Sequence, residues 1–288
     1  MWRLRVRFAL RRAVVRLPLR LSRYLLLLQE YRRIPRIAKP RTFNEKVNHR
    51  IVYDRREILR IASSKVDSKA YVEQLGTGVY VPRTYWVGTD IDELAGLRVA
   101  TQWVLKASHR SGRLIHGNPG PIDPRQLELD VAEWLADAEY AGNRLWGYRE
   151  VRKELILEER VGAPESFPDD LKFFVFDGRV EMIQVDHARG VNHTRNLYTA
   201  TWQALDWVYT WPRGPVEEPP ENLAQLLEIA KELGAGFDFV RVDLYNVDGQ
   251  PVFGELTVYP GAGLSPWPPA LDFALGDKWI LPSHEKRG

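Results

Sequence analysis

Apolar and polar residues alternate along both halves of the segment 239–257, FVRVDLYNVDGQPVFGELT. This period of two is typical of half-buried strands, and the Asp248-Gly249 pair between the halves is a hairpin-turn signal. If the loop has three residues, Asp248-Gly249-Gln250, then Asp243 lies directly opposite Glu255. The alternation predicts one polar and one core face. The polar face carries Arg241, Asp243, Glu255 and Thr257, and the core face carries Val240, Val242, Leu244, Val252 and Leu256.

Helical spacing marks several segments upstream of this hairpin. Thr42 and Glu45 form a capping box, which predicts a helix start, and apolar residues continue it with helical spacing to residue 51. Helices over 62–75 and 223–233 are each followed by glycine, Gly76 and Gly234, as helix ends often are. The Asp123-Pro124 pair is typical of a helix start. The apolar face predicted for that helix comprises Leu127, Val131, Trp134, Leu135 and Ala138.

Short apolar and alternating runs predict the strands. Strands are expected over 79–88, over 154–161 and at the start of 101–117, which runs on into a Ser/Gly loop. The run 171–186 reads as a second hairpin that turns at Asp177-Gly178, and 192–198 reads as a loop or a strand edge. The predicted fold class is therefore α+β, with largely antiparallel sheets.

The composition excludes some kinds of chemistry. The 288 residues are enough for one large or two small domains, and 44% hydrophobic with 27% charged residues is ordinary for a globular protein. The chain has no cysteine. Disulfides, thiolate metal sites and a cysteine nucleophile are therefore excluded.

The positive charge is concentrated at the N-terminus. Residues 1–60 hold 18 Lys+Arg and 4 Asp+Glu, a net charge of +14, whereas the remainder holds 23 against 34, a net charge of −11. A nucleic-acid enzyme usually carries its basic surface on the folded body. We therefore expect no nucleic-acid partner.

The N-terminal arm, residues 1–39, reads as a basic amphipathic helical segment. Leu17, Leu21, Leu25 and Leu28 form an apolar stripe, Arg12, Arg16, Arg20 and Arg23 form a basic one, and Pro18 breaks or starts a helix. Its apolar run is too short to span a bilayer. Such an arm can lie on an anionic membrane surface or pack its leucines on the body, and its composition is also shared by organelle transit peptides.

Two carboxylates that face each other across a strand pair repel, so the Asp243–Glu255 pair requires an explanation. A hard divalent cation such as Mg²⁺ takes carboxylate oxygens and shares itself with nucleotide phosphates. The alternative is a solvated hairpin face on which Arg241 neutralises one of the acids. The hairpin pattern alone does not separate these two readings.

Lys106 is the other notable charge, because it sits among apolar residues on a predicted strand. A buried ammonium group needs an anion, although a strand lysine can also extend out to solvent. The loop 109–113, HRSGR, follows it and is able to direct N–H groups and cations at phosphate. The chain contains no GxxxxGK[ST], GxGxxG with a distant acid, GxSxG, HExxH or EF-hand pattern.

Several segments in this order resemble the ATP-grasp superfamily, and more narrowly its TupA-like (teichuronopeptide biosynthesis protein-like) branch. The segments are PRTFNEK (40–46), VLKASHRSG (104–112), LKFFVFDG (171–178), NHTRNLY (192–198), FVRVDLYN (239–246) and FGELTVYPGAG (253–263). The resemblance covers 21–282 and implies an ATP-grasp fold, in which two α+β subdomains clasp ATP. We expect the arm at 1–39, the N-terminal helices and small subdomain at 40–155, and the large subdomain with the metal-binding hairpin at 156–288.

The resemblance also implies a role for each matching residue. The ATP-binding set comprises Lys65, Lys106, Ser111, Gly112, Glu158, Glu159, Arg160, Val161 and Lys172, with residues 158–161 bordering adenine through backbone groups. The metal set for Mg²⁺ is Asp243, Glu255 and Thr257, where Thr257 stands in place of the more usual asparagine. The catalytic set is Arg241, Lys106 and Arg195, and the substrate set is Arg195, Asn196, Gly261 and Gly263. The chain departs from the branch at Arg110, Arg113 and Glu159.

The implied function is an ATP- and Mg²⁺-dependent carboxylate–amine ligase acting through an acyl phosphate in cell-surface polysaccharide biosynthesis. Its partners would be a small-molecule or glycan-precursor carboxylate and an amine. Three alternatives stay open: a peptide-bond-forming ligase of natural-product biosynthesis, a kinase, and a nucleotide-binding accessory protein at a membrane biosynthetic complex. The expected location is the cytoplasm, with peripheral contact at the inner face of the membrane through the arm. No oligomeric state is predicted.

Overall fold

The computed structural model describes residues 14–110, 112, 114–127, 130–136, 143–162, 168–187 and 192–282. Within these ranges the chain has the predicted α+β character. The α-helices are α1 (Leu19–Tyr31), α2 (Phe43–Tyr53), α3 (Glu57–Ser63), α4 (Lys65–Leu75), α5 (Val131–Leu135), α6 (Trp146–Arg149), α7 (Leu223–Gly234) and α8 (Pro269–Lys278).

Antiparallel pairing connects the strands into two main sheets. The strands are β1 (Thr84–Gly88), β2 (Arg98–Val99), β3 (Trp103–Ala107), β4 (Leu114–Gly117), β5 (Gly120–Pro121), β6 (Leu155–Glu159), β7 (Asp170–Phe176), β8 (Arg179–His187), β9 (Thr194–Tyr198), β10 (Ala204–Leu205), β11 (Phe239–Val247) and β12 (Gln250–Thr257). The small sheet has the order β1-β6-β3-β4, and the large sheet has the order β10-β9-β8-β7-β11-β12. The subdomain boundary expected between residues 155 and 156 falls inside β6, a strand of the small sheet.

The capping box and the terminal glycine predicted from the sequence are both present in the structure. The Thr42 side chain accepts a hydrogen bond from the Glu45 N–H, which completes the capping box at the start of α2. Three apolar side chains of α2 that follow this cap, Phe43, Val47 and Ile51, are fully buried. Helix α4 ends at Gly76, whose φ of 64° lies in the left-handed region that glycine tolerates best.

The hairpin β11–β12 has the predicted carboxylate pair but a different loop. Asp248 and Gly249 alone form the turn, with φ angles of 52° and 79°, and Val247 pairs with Gln250. A β-bulge then shifts the register by one residue, so that Asp243 pairs with Glu255 as predicted. The extra residue is Gly254, where a Cβ would lie 2.9 Å from the Asp243 carbonyl oxygen.

Because of the bulge, one residue predicted on the core face of the hairpin lies on its other face. Leu244 pairs with Phe253, whereas Val252 pairs with Tyr245 on the polar side of β11. Phe253 therefore takes the core position that was predicted for Val252, because a one-residue shift exchanges the faces of a strand. Val252 is buried instead at the sheet edge, where Tyr80 forms an isolated parallel bridge with it.

Two other predictions change. The helix expected after Asp123-Pro124 is divided into a 3₁₀ turn over Pro124–Gln126 and the short helix α5, which buries Trp134. Ala138, expected on the same face, lies outside the described residues. The segment expected to be a loop or strand edge is β9, which lies between β8 and β10 inside the large sheet.

The arm helix α1 packs on the body with a different face from the predicted one. Its buried residues are Ser22, Arg23, Leu26 and Leu27, whereas Leu21 of the predicted apolar stripe is 45% exposed. The reason is Arg23, whose guanidinium donates to Asn48 Oδ1 at 2.6 Å and also contacts the Ala262 carbonyl. A buried guanidinium needs such acceptors, and they fix the orientation of the helix. In the described part of the chain, no helix has the length and apolarity required to cross a membrane.

The two faces of the large sheet are covered differently. Helix α7 covers one face, so closely that a Cβ at Gly234 would lie 2.5 Å from Val175 Cγ1. Part of the opposite face is covered by α2 and by an aromatic cluster of Phe43, Phe174, Phe176, Phe239, Trp267 and Trp279. The rest of that face carries charged side chains, which the antiparallel register brings together from β7, β8, β9, β11 and β12.

Candidate nucleotide and metal site

The polar face of the β11–β12 hairpin contains the four residues that the sequence predicts there. Arg241 donates to both oxygens of Asp243, from Nε at 2.7 Å and from Nη2 at 2.6 Å. The same Nη2 lies 3.1 Å from Thr257 Oγ1 and 3.4 Å from Glu255 Oε1. Thr257 donates to Glu255 Oε1 at 3.0 Å, so one arginine and one hydroxyl connect the two acids.

The neighbouring strands extend this charged surface. Lys172 on β7 is in register with Asp243, and its Nζ lies 3.6 Å from Asp243 Oδ2 and 3.6 Å from Asp186 Oδ2. Lys172 also contacts Asp170, a residue of the same strand. Asp186 on β8 accepts from Arg195 Nε at 2.5 Å. The predicted cations Lys172, Arg195 and Arg241 thus join one network with acids from four strands.

The two hairpin carboxylates differ in acidity. Burial raises the pKa of Asp243 to about 6, although Arg241 and Lys172 oppose this shift. Burial also disfavours the charged form of Glu255, but the charges of Lys65, Arg241 and Lys172 outweigh it and lower the pKa of Glu255 to about 2. Of the two hairpin acids, Asp243 is therefore the one whose charged form an additional positive charge would stabilise more.

The donor set of this face fits a hard divalent cation. Asp243 and Glu255 offer carboxylate oxygens and Thr257 offers a hydroxyl, which are the oxygen ligands that Mg²⁺ prefers. The Asp243 carboxyl is almost fully buried, so a bound cation would stabilise a charge that burial makes unfavourable. The Thr257 hydroxyl is neutral and therefore a weaker metal ligand than a carboxylate, and it already donates to Glu255 Oε1.

The small sheet contributes a second charged group around Glu158. Lys106 on β3 contacts one oxygen of the Glu158 carboxylate, and Lys69 Nζ on α4 lies 3.0 Å from the other oxygen. Burial disfavours ionisation of Glu158, yet the two lysines outweigh it and its pKa lies below the usual value. Burial lowers the pKa of Lys69, although the charge of Glu158 opposes the shift. Glu158 was expected only to border adenine, and Lys69 was not predicted.

A pocket of about 130 Å³ lies between the two sheets. It is smaller than the about 300–1,000 Å³ of a whole small-molecule site, so it can hold one part of a nucleotide. Residues of the small sheet and of the hairpin line it together, along with the segment after β6. Its lining includes Val104, Lys106, His116, Glu158, Glu159, Arg160, Val161, Tyr245, Phe253 and Gly254.

The segment 158–161 is anchored at the edge of this pocket. The Glu159 N–H donates to the Arg83 carbonyl at 2.8 Å, and the Arg160 N–H donates to the Gln102 carbonyl at 2.9 Å. The Glu159 carboxylate also accepts from the Tyr80 hydroxyl. Two N–H groups of the segment expected to read adenine are therefore engaged within the protein, which leaves the base contacts to other groups of the segment.

Lys65 at the start of α4 lies between the two sheets. Its Nζ donates to the Arg110 carbonyl at 2.6 Å, in the loop after β3, and its charge contributes to the lowered pKa of Glu255. Gly112 in the same loop has a φ of 87° with open space at the Cβ position. Ser111, the other residue of the loop predicted to bind ATP, lies outside the described residues.

The residues predicted to bind substrate separate into two groups. Arg195 belongs to the charged network through Asp186 and stacks over the Tyr209 ring at 4.6 Å. Asn196 instead holds a neighbouring loop, because its amide donates to the Pro215 carbonyl at 2.6 Å and accepts from the Gly214 N–H at 3.1 Å. Gly263 packs against α2, where its carbonyl accepts from Asn48 at 2.8 Å, and a Cβ at Gly261 would lie 2.0 Å from Ser265 Oγ.

Sequence reasoning missed Lys69, Tyr80, Asp170, Asp186 and Tyr209, all of which contact predicted site residues. A signal existed for two of them. Lys69 follows Lys65 by four residues and so shares its helix face, and Asp170 precedes Lys172 by two residues and so shares its strand face. Tyr80, Asp186 and Tyr209 are brought in by tertiary pairing, which has no local sequence signal.

The TupA-like ATPgrasp family model matches residues 45–280. Among solved structures, the ATP-grasp ligase PsnB, complexed with a phosphomimetic variant of a minimal precursor, Mg and ADP, is 16% identical with a TM-score of 0.40. The match covers 77% of this chain and 60% of PsnB. No curated protein sequence matches the chain.

Two D-alanine–D-alanine ligases are similar to the same degree. The Bacillus anthracis enzyme, complexed with ATP, is 16% identical with a TM-score of 0.39, and the match covers 69% of this chain and 55% of that enzyme. The Helicobacter pylori enzyme is 12% identical with a TM-score of 0.42, and the match covers 76% of this chain and 58% of that enzyme. The matches thus span little more than half the length of these proteins.

Proposed function

This chain belongs to the TupA-like ATP-grasp family, and from its site we propose that it is an ATP- and Mg²⁺-dependent ligase that joins a carboxylate to an amine. The resemblance seen in the sequence is thereby confirmed at the level of family and fold. The reaction and its substrates are the proposal. It rests on the charged face of the large sheet beside the pocket between the two sheets.

The observation that carries the proposal is the Arg241–Asp243–Glu255–Thr257 cluster. One arginine bonds both oxygens of Asp243 and also reaches Glu255 and Thr257. Arg241 pairs closely with Asp243, whereas the Glu255 side chain beside it is 44% exposed and so remains accessible to a divalent cation. Mg²⁺ held by Asp243, Glu255 and Thr257 would neutralise the phosphates of ATP and polarise the γ-phosphoryl group.

The other predicted residues have positions that support binding of ATP. Lys106, Glu159, Arg160 and Val161 line the pocket, which accounts for one part of the nucleotide. Lys65 donates to the Arg110 carbonyl in the loop after β3, and its charge acts on Glu255 of the hairpin, so it is our candidate for a contact with the phosphate chain. Lys172, Ser111 and Gly112 complete the proposed phosphate contacts.

The proposed reaction asks this chain for positioning and charge neutralisation rather than for a side-chain nucleophile. A carboxylate oxygen of the substrate attacks the γ-phosphorus, and the bond to the β-phosphate oxygen breaks, giving an acyl phosphate and ADP. Arg241 and Lys172 neutralise the charge on the transferring phosphoryl group. The amine then attacks the acyl carbon and expels phosphate, leaving an amide. Arg195 is the candidate for orienting the carboxylate, with Asn196 and the Gly261–Gly263 turn bordering it.

The biological setting is a finer part of the proposal. A carboxylated precursor of a cell-surface polysaccharide is the substrate class that the family points to. ATP is supplied in the cytoplasm, and we place the protein there, with the arm at the inner face of the membrane. Arg16, Arg20 and Leu21 on the arm are exposed, which supports contact with anionic lipid.

The test is ADP release with Mg–ATP and a panel of uronic acids, amino acids and small peptides. Wild type is compared with Asp243→Asn and Glu255→Gln, and with Glu228→Gln, which changes an exposed acid on α7, as the matched control. Acid-dependent release that only the two hairpin variants lose supports the proposal, and product mass distinguishes an amide from a phosphorylated product. Release that persists in Asp243→Asn and Glu255→Gln contradicts it, and failure of wild type to bind Mg–ATP refutes the nucleotide site itself.

A further inference from the structure

Lys69 is a buried lysine that no predicted role explains. It lies on α4 one helical turn after Lys65, and its Nζ is 3.0 Å from Glu158 Oε2. The other oxygen of the same carboxylate contacts Lys106. The three side chains therefore form a chain of contacts from the helix to β6 and then to β3.

Lys69 and Lys106 differ in their access to a ligand. The Lys69 side chain is 9% exposed, whereas the Lys106 side chain is 21% exposed and lines the pocket between the sheets. Ordering a lysine inside a protein is unfavourable both in solvation and in side-chain entropy. Lys69 is thus placed to act on Glu158, and only Lys106 of the two is placed to reach a bound nucleotide.

The charges explain why a second lysine is useful here. A carboxylate paired with Lys106 alone would form a neutral pair, and its attraction for phosphate would be weak. With Lys69 on the other oxygen, the group of three keeps a net charge of +1 beside the pocket. Because both oxygens are occupied, the carboxylate is also fixed in one orientation, which in turn fixes the position of the Lys106 ammonium.

We propose that Lys69 and Glu158 are positioning residues for Lys106, holding its ammonium group where it binds a phosphate of the nucleotide. This inference rests on the proposed nucleotide site and goes beyond it, because it assigns a role to a lysine that does not touch the ligand. It predicts that loss of Lys69 weakens phosphate binding and leaves binding of the nucleoside unchanged.

The experiment measures the affinity for ATP and for adenosine separately, by isothermal titration calorimetry on the full chain. The variants are Lys69→Met, Lys69→Arg, Glu158→Gln and Lys106→Met. Lys231→Met is the matched control, because Lys231 is an exposed lysine on α7 that pairs with the exposed Glu228 three residues earlier on the same helix. No acid or amine substrate is needed, so the result does not depend on knowing the ligase reaction.

We expect Lys69→Met to weaken ATP binding about tenfold, as for loss of one hydrogen bond to a charged group, with adenosine affinity unchanged. Lys69→Arg should recover most of the loss, and Lys69→Met added to Lys106→Met should cause little further loss, since the two act through one contact. Equal ATP affinity in Lys69→Met and wild type overturns the inference. So does an equal loss for ATP and adenosine, which would mean general damage to the fold.

These outcomes separate the inference from the function on which it rests. If wild type and Lys69→Met have equal ATP affinity and Lys106→Met has a lower one, the result supports the nucleotide site and refutes the role of Lys69. If wild type binds neither ATP nor adenosine, the proposed function and the inference fall together.

Discussion

The binding of Mg²⁺ should depend on pH through one residue, Asp243. Burial raises the pKa of Asp243 to about 6, while nearby cations lower the pKa of Glu255 to about 2. Between about pH 5 and about pH 8, Asp243 is therefore the hairpin acid that titrates, and a bound cation must displace its proton. The apparent affinity for Mg²⁺ should be constant above about pH 7 and fall about tenfold by about pH 5.

The raised pKa of Asp243 also determines how the free energy of unfolding changes with pH. The pKa of Asp243 in the folded protein lies above the value of an unfolded aspartate, about 3.9. Its contribution to the free energy of unfolding is therefore fully present below about pH 4 and is lost as the pH rises through about 6. Mg²⁺ relieves the repulsion that remains, so the rise in melting temperature caused by Mg²⁺ should be larger at about pH 8 than at about pH 5.

Calorimetric titration of Mg²⁺ in two buffers of different ionisation enthalpy measures both the affinity and the protons released. Close to one proton should be released per Mg²⁺ at about pH 5 and almost none at about pH 8. Asp243→Asn removes the titrating group, so its weaker affinity should be independent of pH over this range. Proton release of the same size in Asp243→Asn and in wild type would refute the assignment to Asp243.

Three further predictions concern separate parts of the molecule. Phe43→Ala removes a ring packed 4.9 Å from Phe239 and should lower the free energy of unfolding in urea by about 3–5 kcal/mol; a loss below about 1 kcal/mol would contradict this packing. Gly254→Val places a Cβ 2.9 Å from the Asp243 carbonyl oxygen and should weaken Mg²⁺ binding about tenfold by displacing the bulge. An unchanged Mg²⁺ affinity in calorimetric titration would contradict this prediction. Replacing the exposed Arg16 and Arg20 with glutamine should reduce pelleting with anionic vesicles relative to wild type, and equal pelleting argues against membrane contact.

Local signals predicted the elements that short-range physics controls. The Thr42–Glu45 capping box, the Asp177-Gly178 turn and the glycine after α4 depend on backbone groups within a few residues, and all three are present. The pairing of Asp243 with Glu255 was also predicted, although from a three-residue loop. The predicted three-residue loop has its extra residue, Gln250, in the turn. The structure has a two-residue turn and its extra residue at the Gly254 bulge, and both arrangements bring Asp243 opposite Glu255.

Long-range contacts account for the elements that were predicted wrongly. The face of α1 is set by Arg23, whose acceptors are Asn48 and the backbone at residues 143 and 262, and no spacing within the helix indicates them. Val252 is buried as predicted, but on the other face of the hairpin, because a bulge is not visible in an alternating pattern. Glu158 was expected only to border adenine, and its pairing with Lys69 and Lys106 joins residues from three separate elements.

Helix α4 and the segment after it connect the two halves of the proposed site. Lys65 and Lys69 lie on one face of this helix: the charge of Lys65 acts on Glu255 of the hairpin, and Lys69 binds Glu158 of the small sheet. Tyr80 then pairs its backbone with β12, through N–H and carbonyl bonds of 3.0 and 2.8 Å, and its hydroxyl contacts Glu159. The hairpin proposed to bind the metal and the segment predicted to border adenine are therefore joined by one stretch of chain. A nucleotide that binds to both would find its two contact surfaces already placed relative to each other, which reduces the entropy that binding must overcome.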